Sequence, residues 1–397
     1  MYLFILLLGI ITFIFGIVPI LFTLRFRAYV VNYFKKDTNE YRPKVSIILP
    51  CKGIDPGFED NLTALLNQDY PDFELVCVTA TDDDPAYVFI NSFMQQRSIS
   101  SQLKLIVAGI SSERSQKVNN LLQALKKYRS ETEVFVFVDS DIRPNKRFLT
   151  HLVNPLQNPE VGAATGIRWY LPNHATAGSM LRSIWAAGAL PMMIDKHHNF
   201  AFGGANAIKK EVFEKADIEK LLKGSLSDTF SITKGVKEAG LLIKFVPHCI
   251  VVSHEDSTIK ETVEWSTRQT IITRVYSKPF WWTVFLTYSF SNTMLLTGIL
   301  LLIISVISES AYIIPAFFML SLIPLEVLNA AMLIPAVKQM IPEHIDSLNQ
   351  LKLKYYFYAP LTSLLIMFNS IVSIFTNEIT WRGVKYKLIS PEETKIL

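Results

Sequence analysis

Asp139 and Asp141 flank Ser140 directly after the run Val134-Phe135-Val136-Phe137-Val138. A run of that kind reads as a buried strand, and the period of two in extended chain puts both carboxylates on one side of it. Paired hard oxygen donors suit Mg²⁺ or Mn²⁺, ions that also coordinate a diphosphate and neutralise the charge of a departing leaving group. The same pair fits a plain acidic turn equally well, because Asp favours turns. Asp82-Asp83-Asp84-Pro85 closes an earlier strand-like run in the same way. Neighbouring carboxylates repel one another, a cost that a solvated loop tolerates. Asp83 or Asp84 in that position could accept from the N–H and O–H donors of a nucleoside, while an N-cap ahead of Pro85 accounts for at least one of the acids.

Between the two acidic segments, Lys117-Val118-Asn119-Asn120-Leu121 begins a helix. Its lysine could reach a diphosphate and its amides could bond hydroxyls, against the alternative of a solvated helix face. Asp228 opens a later helix in Leu226-Ser227-Asp228-Thr229-Phe230. A carboxylate there either caps the helix or acts as a general base that takes the proton of an attacking hydroxyl. Arg268, followed by Gln269 and preceded by Trp265, could clamp a phosphate beside an aromatic platform, or serve as a membrane-border anchor. His197-His198 and His254 lack metal-ligand spacing with any nearby acid or cysteine and read as polar or packing residues. No H-x-x-x-H, GxSxG or P-loop pattern is present, which counts against kinase and ATPase chemistry.

The elements that must hold these residues follow from the alternation of β-branched runs with amphipathic stretches from Lys44 onward. Strands are expected at Lys44 to Leu49, Phe73 to Thr79, Leu103 to Ala108 and Val134 to Val138, with helices at Pro85 to Arg97 and Gln116 to Tyr128. That order is an α/β nucleotide-binding arrangement, in which ligands sit beyond the carboxyl ends of the strands. The acidic segments stand at those ends. Beyond Val161 the alternation weakens to a helix near Ala175 to Ala189, a turn at Gly203-Gly204 and a helix from about Ser227 to Ala239.

Half of the 397 residues are hydrophobic and only 19% are charged, so part of the chain belongs in lipid. Met1 to Leu24, Phe285 to Ser308 and Tyr355 to Thr376 carry no charge, and Ala311 to Val337 carries only Glu326. Each is long enough for a hydrocarbon core about 30 Å thick. The first apolar run exceeds a signal core and lacks a cleavage pattern, so residues 1–24 are expected to be an uncleaved anchor. Arg25, Arg27, Lys35 and Lys36 follow it, and the positive-inside rule places the soluble part, residues 25–278, in the cytoplasm. Residues 279–376 are expected to form a membrane region and 377–397 a tail. Trp281 and Trp282 are expected in the headgroup layer. Cys51, Cys77 and Cys249 are isolated, as in a reducing compartment. A net charge of +4, spread along the chain, gives no case for nucleic acid and a modest one for anionic headgroups.

In combination these residues resemble glycosyltransferase family 2, and most closely the ceramide glucosyltransferases and related bacterial lipid glycosyltransferases. The resemblance runs from Lys44 to about Pro279. It is carried by Pro50-Cys51-Lys52-Gly53-Ile54-Asp55-Pro56, Asp69-Tyr70-Pro71, Asp83-Asp84-Pro85-Ala86, the K-x-N-N-L segment and Asp139-Ser140-Asp141. It implies a Rossmann-like GT-A domain with membrane helices at both ends. On it, Lys52, Asp83, Asp84, Lys117, Asn120, Asp139 and Arg268 hold a nucleotide-sugar donor, UDP-sugar favoured. Asp139 and Asp141 take Mg²⁺ or Mn²⁺, and Asp228 is the base of an inverting transfer. Ser227 stands where close relatives carry Glu, and Trp265-Ser266-Thr267-Arg268-Gln269 matches the (Q/R)-x-x-R-W signature only at its arginine. Trp381-Arg382-Gly383 and Tyr386 resemble the group's tail, near the cytoplasmic surface. Four full spans from an outside amino terminus would put that tail outside, so one apolar segment, with Tyr355 to Thr376 as the candidate, is expected to be re-entrant or interfacial.

The resemblance therefore implies transfer of a hexose, glucose favoured, onto a lipid in the bilayer, such as ceramide or another hydroxylated lipid. A polysaccharide synthase of the same superfamily is the second reading; the few spans and the altered Arg268-Gln269 segment count against it. A non-catalytic membrane scaffold or transport subunit, in which the acids only cap and turn, is the alternative from another class.

Overall fold

The computed structural model describes residues 1–35, 41–97 and 102–397; Lys36, one of the basic residues after the first apolar run, lies outside them. The chain forms two compact units. One comprises Met1–Lys36, Tyr170–Met192 and His254–Thr376; the other comprises Asp37–Trp169, Met193–Ser253 and Asn377–Leu397. By contacts, Tyr170–Met192 and the segment from His254 group with the apolar helices, while Asn377–Leu397 group with the sheet.

The second unit holds a seven-stranded sheet built from β1 (Val45–Pro50), β2 (Phe73–Thr79), β3 (Leu103–Val107), β4 (Val134–Val138), β5 (Val161–Tyr170), β6 (Ala205–Lys209) and β7 (Leu242–Ser253), in the order β3-β2-β1-β4-β6-β5-β7. Its first four strands are parallel, with Val45 opposite both Phe73 and Val134, and β6 runs antiparallel to β4 and to β5. Strands β1, β2 and β4 are largely apolar and buried because both faces are covered, whereas β3 at the edge is partly exposed. Helices α2 (Phe58–Leu66), α3 (Pro85–Arg97), α4 (Gln116–Ala124), α5 (Phe148–Val153), α7 (Lys210–Lys215), α8 (Ile218–Leu222) and α9 (Asp228–Glu238) belong to this unit, and α6 (Ala177–Ala187) to the other. Val118 and Leu121 of α4, Leu222 of α8 and Ile232 and Val236 of α9 pack with Ile48, Val76 and Phe137 into one core. The chain re-enters the unit at β8 (Glu378–Trp381), β9 (Val384–Ser390) and β10 (Glu393–Ile396), a three-stranded antiparallel sheet.

The first unit is helical: α1 (Tyr2–Phe34), α6, α10 (Ile259–Tyr276), α11 (Lys278–Ser308), α12 (Ile313–Leu320), α13 (Leu322–Met340) and α14 (Ile345–Phe375). Among the described residues four segments are long and apolar enough to cross a membrane: Tyr2–Phe34, Lys278–Ser308, Ile313–Met340 and Pro342–Phe375. Leu3, Leu7, Ile11 and Ile14 of α1 and Leu296, Leu300 and Ile303 of α11 remain exposed, as a lipid-facing surface requires. Polar side chains turn inward and satisfy one another: Thr23 Oγ1 donates to Asn329 Oδ1 at 2.7 Å and Asn292 Nδ2 to the Ser363 carbonyl at 3.2 Å. Trp281 is buried, stacked on Phe285, and its indole N–H donates to Ser373 Oγ at 3.0 Å, whereas Trp282 is exposed.

Asn377–Leu397 pack in the same compact unit as Met193–Ser253. The segment expected to be re-entrant or interfacial, Tyr355 to Thr376, is an unbroken part of α14 that includes Pro360.

Candidate active site

The site lies at the carboxyl ends of β1, β2 and β4. Two helix starts are brought together first. Ser115 caps α4, accepting from the Val118 N–H at 3.2 Å, and its own hydroxyl donates to the Leu226 carbonyl at 2.7 Å. Ser227 caps α9. The serine expected to weaken a motif thus takes the capping role, which leaves Asp228 in the first turn, where the helix dipole favours a carboxylate. The outcome is a bridge: Lys117 Nζ lies 2.8 Å from Asp139 Oδ1 and 3.1 Å from Asp228 Oδ2.

Asp139 and Asp141 both face Arg168, but through a turn at Ser140–Asp141 after β4 and not through extended chain. The Ser140 hydroxyl donates to Asp55 Oδ2 at 2.5 Å, and its carbonyl accepts from Asn61 Nδ2 at 3.1 Å. Facing the two carboxylates is Arg168 of β5, buried, with Nη1 and Nη2 on Asp141 at 2.6 and 2.7 Å and Nη2 on Asp139 at 3.1 Å. No motif in the sequence points to Arg168; only the antiparallel β4-β6-β5 order brings it here. Burial pushes the Asp139 carboxyl up, but Lys117 and Arg168 outweigh it and hold its pKa at about 2. Burial likewise works against the Lys117 ammonium, and Asp139 and Asp228 more than reverse this, raising its pKa. The Gly203-Gly204 turn passes beside Asp139.

The structure distributes the other expected residues as follows. Asp84 accepts from the N–H of Gly53 and of Ala86, each at 2.9 Å, so it both starts α3 and pins the loop after β1. Asp83 is exposed on the same turn. Lys52 donates from Nζ to the Arg382 carbonyl at 2.6 Å. Asn120 is buried and turned inward, donating to the Val78 carbonyl at 3.2 Å and accepting from Gln116 at 2.8 Å, so it fixes α4 to the end of β2. Arg268 belongs to the helical unit. Within that unit Trp265 meets Tyr170 and Trp185 edge-on, at 5.4 and 5.0 Å between ring centroids. Arg182 lies over Tyr170 and pairs with Glu255 at 2.8 Å. Burial, and after it the charge of Arg182, lowers the pKa of Arg268.

The residues fit a hard divalent cation. Asp139 and Asp141 offer oxygen donors only, with side chains 26% and 21% exposed, and among the described residues no third histidine, cysteine or acid joins them. Such ions fill their remaining positions with water and phosphate oxygens. The charge count agrees: Asp139, Asp141 and Asp228 face Lys117 and Arg168, which leaves one net negative charge where a diphosphate would have to approach. A divalent ion reverses that sign.

Known structures with related architecture include a mannosyltransferase from Pyrobaculum calidifontis in complex with GDP-Man and Mn²⁺. It is 17% identical, with 93% of this chain and 99% of that chain covered and a TM-score of 0.48. Glucosyl-3-phosphoglycerate synthase from Mycobacterium tuberculosis, in complex with Mn²⁺, UDP and glucosyl-3-phosphoglycerate, is 16% identical, with 60% and 87% covered and a TM-score of 0.38. The model of glycosyl transferase family 21 matches residues 9–394, nearly the whole chain, and the protein accordingly belongs to that family.

Proposed function

We propose that the protein is an inverting hexosyltransferase that moves a sugar, glucose favoured, from a UDP-sugar onto a hydroxyl of a membrane lipid such as ceramide, at the cytoplasmic face. Family membership supplies the transferase chemistry. The observation that carries the rest is the Lys117 bridge, which sets the proposed base, Asp228, next to the proposed diphosphate-binding carboxylate, Asp139.

In this reading the acceptor hydroxyl attacks the anomeric carbon from the face opposite the diphosphate. The new C–O bond forms as the bond to the leaving oxygen breaks, and Asp228 Oδ receives the hydroxyl proton. A single displacement inverts the anomeric centre. Lys117, charged across the working pH range, orients Asp228 and faces the leaving group. Asp139 and Asp141 would hold a Mg²⁺ or Mn²⁺ ion, whose charge would offset that of the diphosphate. Asp83 accepts from the nucleoside. Asp84, Lys52 and Asn120 act by holding the loop after β1 and the end of β2 in place. A lipid acceptor is supported by the apolar helices that precede and follow the sheet. Arg268, with Trp265 on the same helix, is assigned to clamping a donor phosphate.

The test is product analysis by mass spectrometry after incubating the purified protein with total lipid extract and a panel of nucleotide sugars, with and without EDTA. A single glycolipid product, lost with EDTA, is expected. Long polymer formed without a lipid primer would refute the lipid assignment.

A further inference from the structure

The C-terminal sheet reaches the site through one turn. Trp381 pairs with Val384, so Arg382 and Gly383 form a two-residue hairpin loop, and both have positive φ, 46° and 80°. Such loops favour Asn-Gly or Gly-Gly, because a β-carbon is crowded in the left-handed region. Here an arginine occupies the first position. Its guanidinium donates to the Lys52 carbonyl at 2.8 Å and to Asp55 Oδ1 at 2.9 Å, while its own carbonyl accepts from Lys52 Nζ. Asp55 uses its other oxygen to accept from Ser140, the residue between Asp139 and Asp141.

The sheet is docked elsewhere as well. The Gln116 N–H, in the first turn of the Lys117 helix, donates to Tyr386 Oη at 3.4 Å, and Lys234 pairs with Glu392 at 2.9 Å. A β-carbon on Gly224 would lie 1.9 Å from the Glu392 carbonyl oxygen, so the tail backbone comes as close as a glycine allows. A sheet needed only as a cap would not require a left-handed arginine at its tip.

We propose that Arg382 is a positioning residue of the transferase site: docked on the loop after β1, it holds Asp55 and through Ser140 sets the placement of Asp139 and Asp141. This rests on the reading of those aspartates given above. Arg382 donates to neither carboxylate; it acts through Asp55 and Ser140 and, by its charge, on Asp139 itself, so its loss weakens donor binding while the fold survives. Undocking the tail at a distance, with Gly224→Ala, has the same consequence.

The experiment is isothermal titration of full-length protein in nanodiscs with UDP in the presence of Mn²⁺, with GDP as a second probe and thermal melts as the folding control. Arg382→Ala is expected to bind the nucleotide about 10- to 100-fold more weakly than wild type, the range for groups that orient metal ligands. Arg382→Lys is expected to recover part of the loss. Arg382→Ala combined with Ser140→Ala should be little worse than the poorer single variant, because both cut one path. Wild-type affinity in folded Arg382→Ala, or fully independent losses in the double variant, overturns the proposal. If Gly224→Ala does not fold, these Arg382 and Ser140 results decide alone. Absence of UDP and GDP binding by wild type would instead remove the transferase reading on which the proposal stands.

Discussion

The Arg168 guanidinium grips both oxygens of Asp141, at 2.6 and 2.7 Å, and extends one nitrogen to Asp139 at 3.1 Å. Replacing it with Gln leaves two carboxylates facing each other with Lys117 on one of them. Removing one partner of a fully buried pair costs about 3–5 kcal/mol; with carboxylates about a quarter exposed, about 1–3 kcal/mol is expected in EDTA. Millimolar Mn²⁺ should restore more of the unfolding midpoint in Arg168→Gln than it adds to wild type. Equal responses would show that the guanidinium and the cation do not share these oxygens.

Asp228→Asn keeps the size and the first-turn position but cannot take a proton. Turnover is expected to fall by about 10²- to 10⁴-fold, the usual worth of a general base, with the donor KM little changed. Steady-state kinetics against a saturating lipid acceptor checks this. Unchanged turnover would remove Asp228 from the reaction.

The pH dependence has a definite sign. Because the folded-state pKa of Asp139 is depressed to about 2, its contribution is complete above its ordinary value of 3.8 and lost as pH falls from about 4 towards 2. The full loss is of the order of 2 kcal/mol. The raised Lys117 pKa contributes stability that is complete below its ordinary 10.5 and lost as pH rises above it. Denaturant unfolding should therefore show no contribution from this pair to the slope between pH 5 and 9, and an acid limb that shrinks in Asp139→Asn.

The packing of the tail in one unit with the sheet predicts where reporters will read. A fusion after Leu397 and an insertion at exposed Glu131 should report the same side of the membrane, the cytoplasmic one. Opposite readings would mean that the tail sheet cannot pack where it is seen.

Much of this was legible in the chain. The strands at Phe73–Thr79 and Val134–Val138 and the helix at Pro85–Arg97 were readable to the residue, because buried parallel strands are apolar on both faces and Pro85 marks a helix start. Lys117, Asp139 and Asp228 stood out in the sequence as candidates, and the end of β4 and the starts of α4 and α9 bring them within ion-pair distance. Arg168 did not stand out. It stands in Thr165-Gly166-Ile167-Arg168-Trp169-Tyr170, a strand wholly buried without alternation, whose antiparallel partner is distant in sequence. The tail's return to the catalytic unit was hidden for the same reason, since no local period encodes a contact across 330 residues.

The order of synthesis gives that return a further meaning. Residues 378–396 emerge from the ribosome after every hydrophobic helix described here, yet they supply the turn that steadies the loop after β1. On the role proposed for Arg382, the nucleotide side of the enzyme is completed only once its lipid-embedded half has been made. Polypeptide arrested earlier would hold most of the fold but not its full grip on the sugar donor.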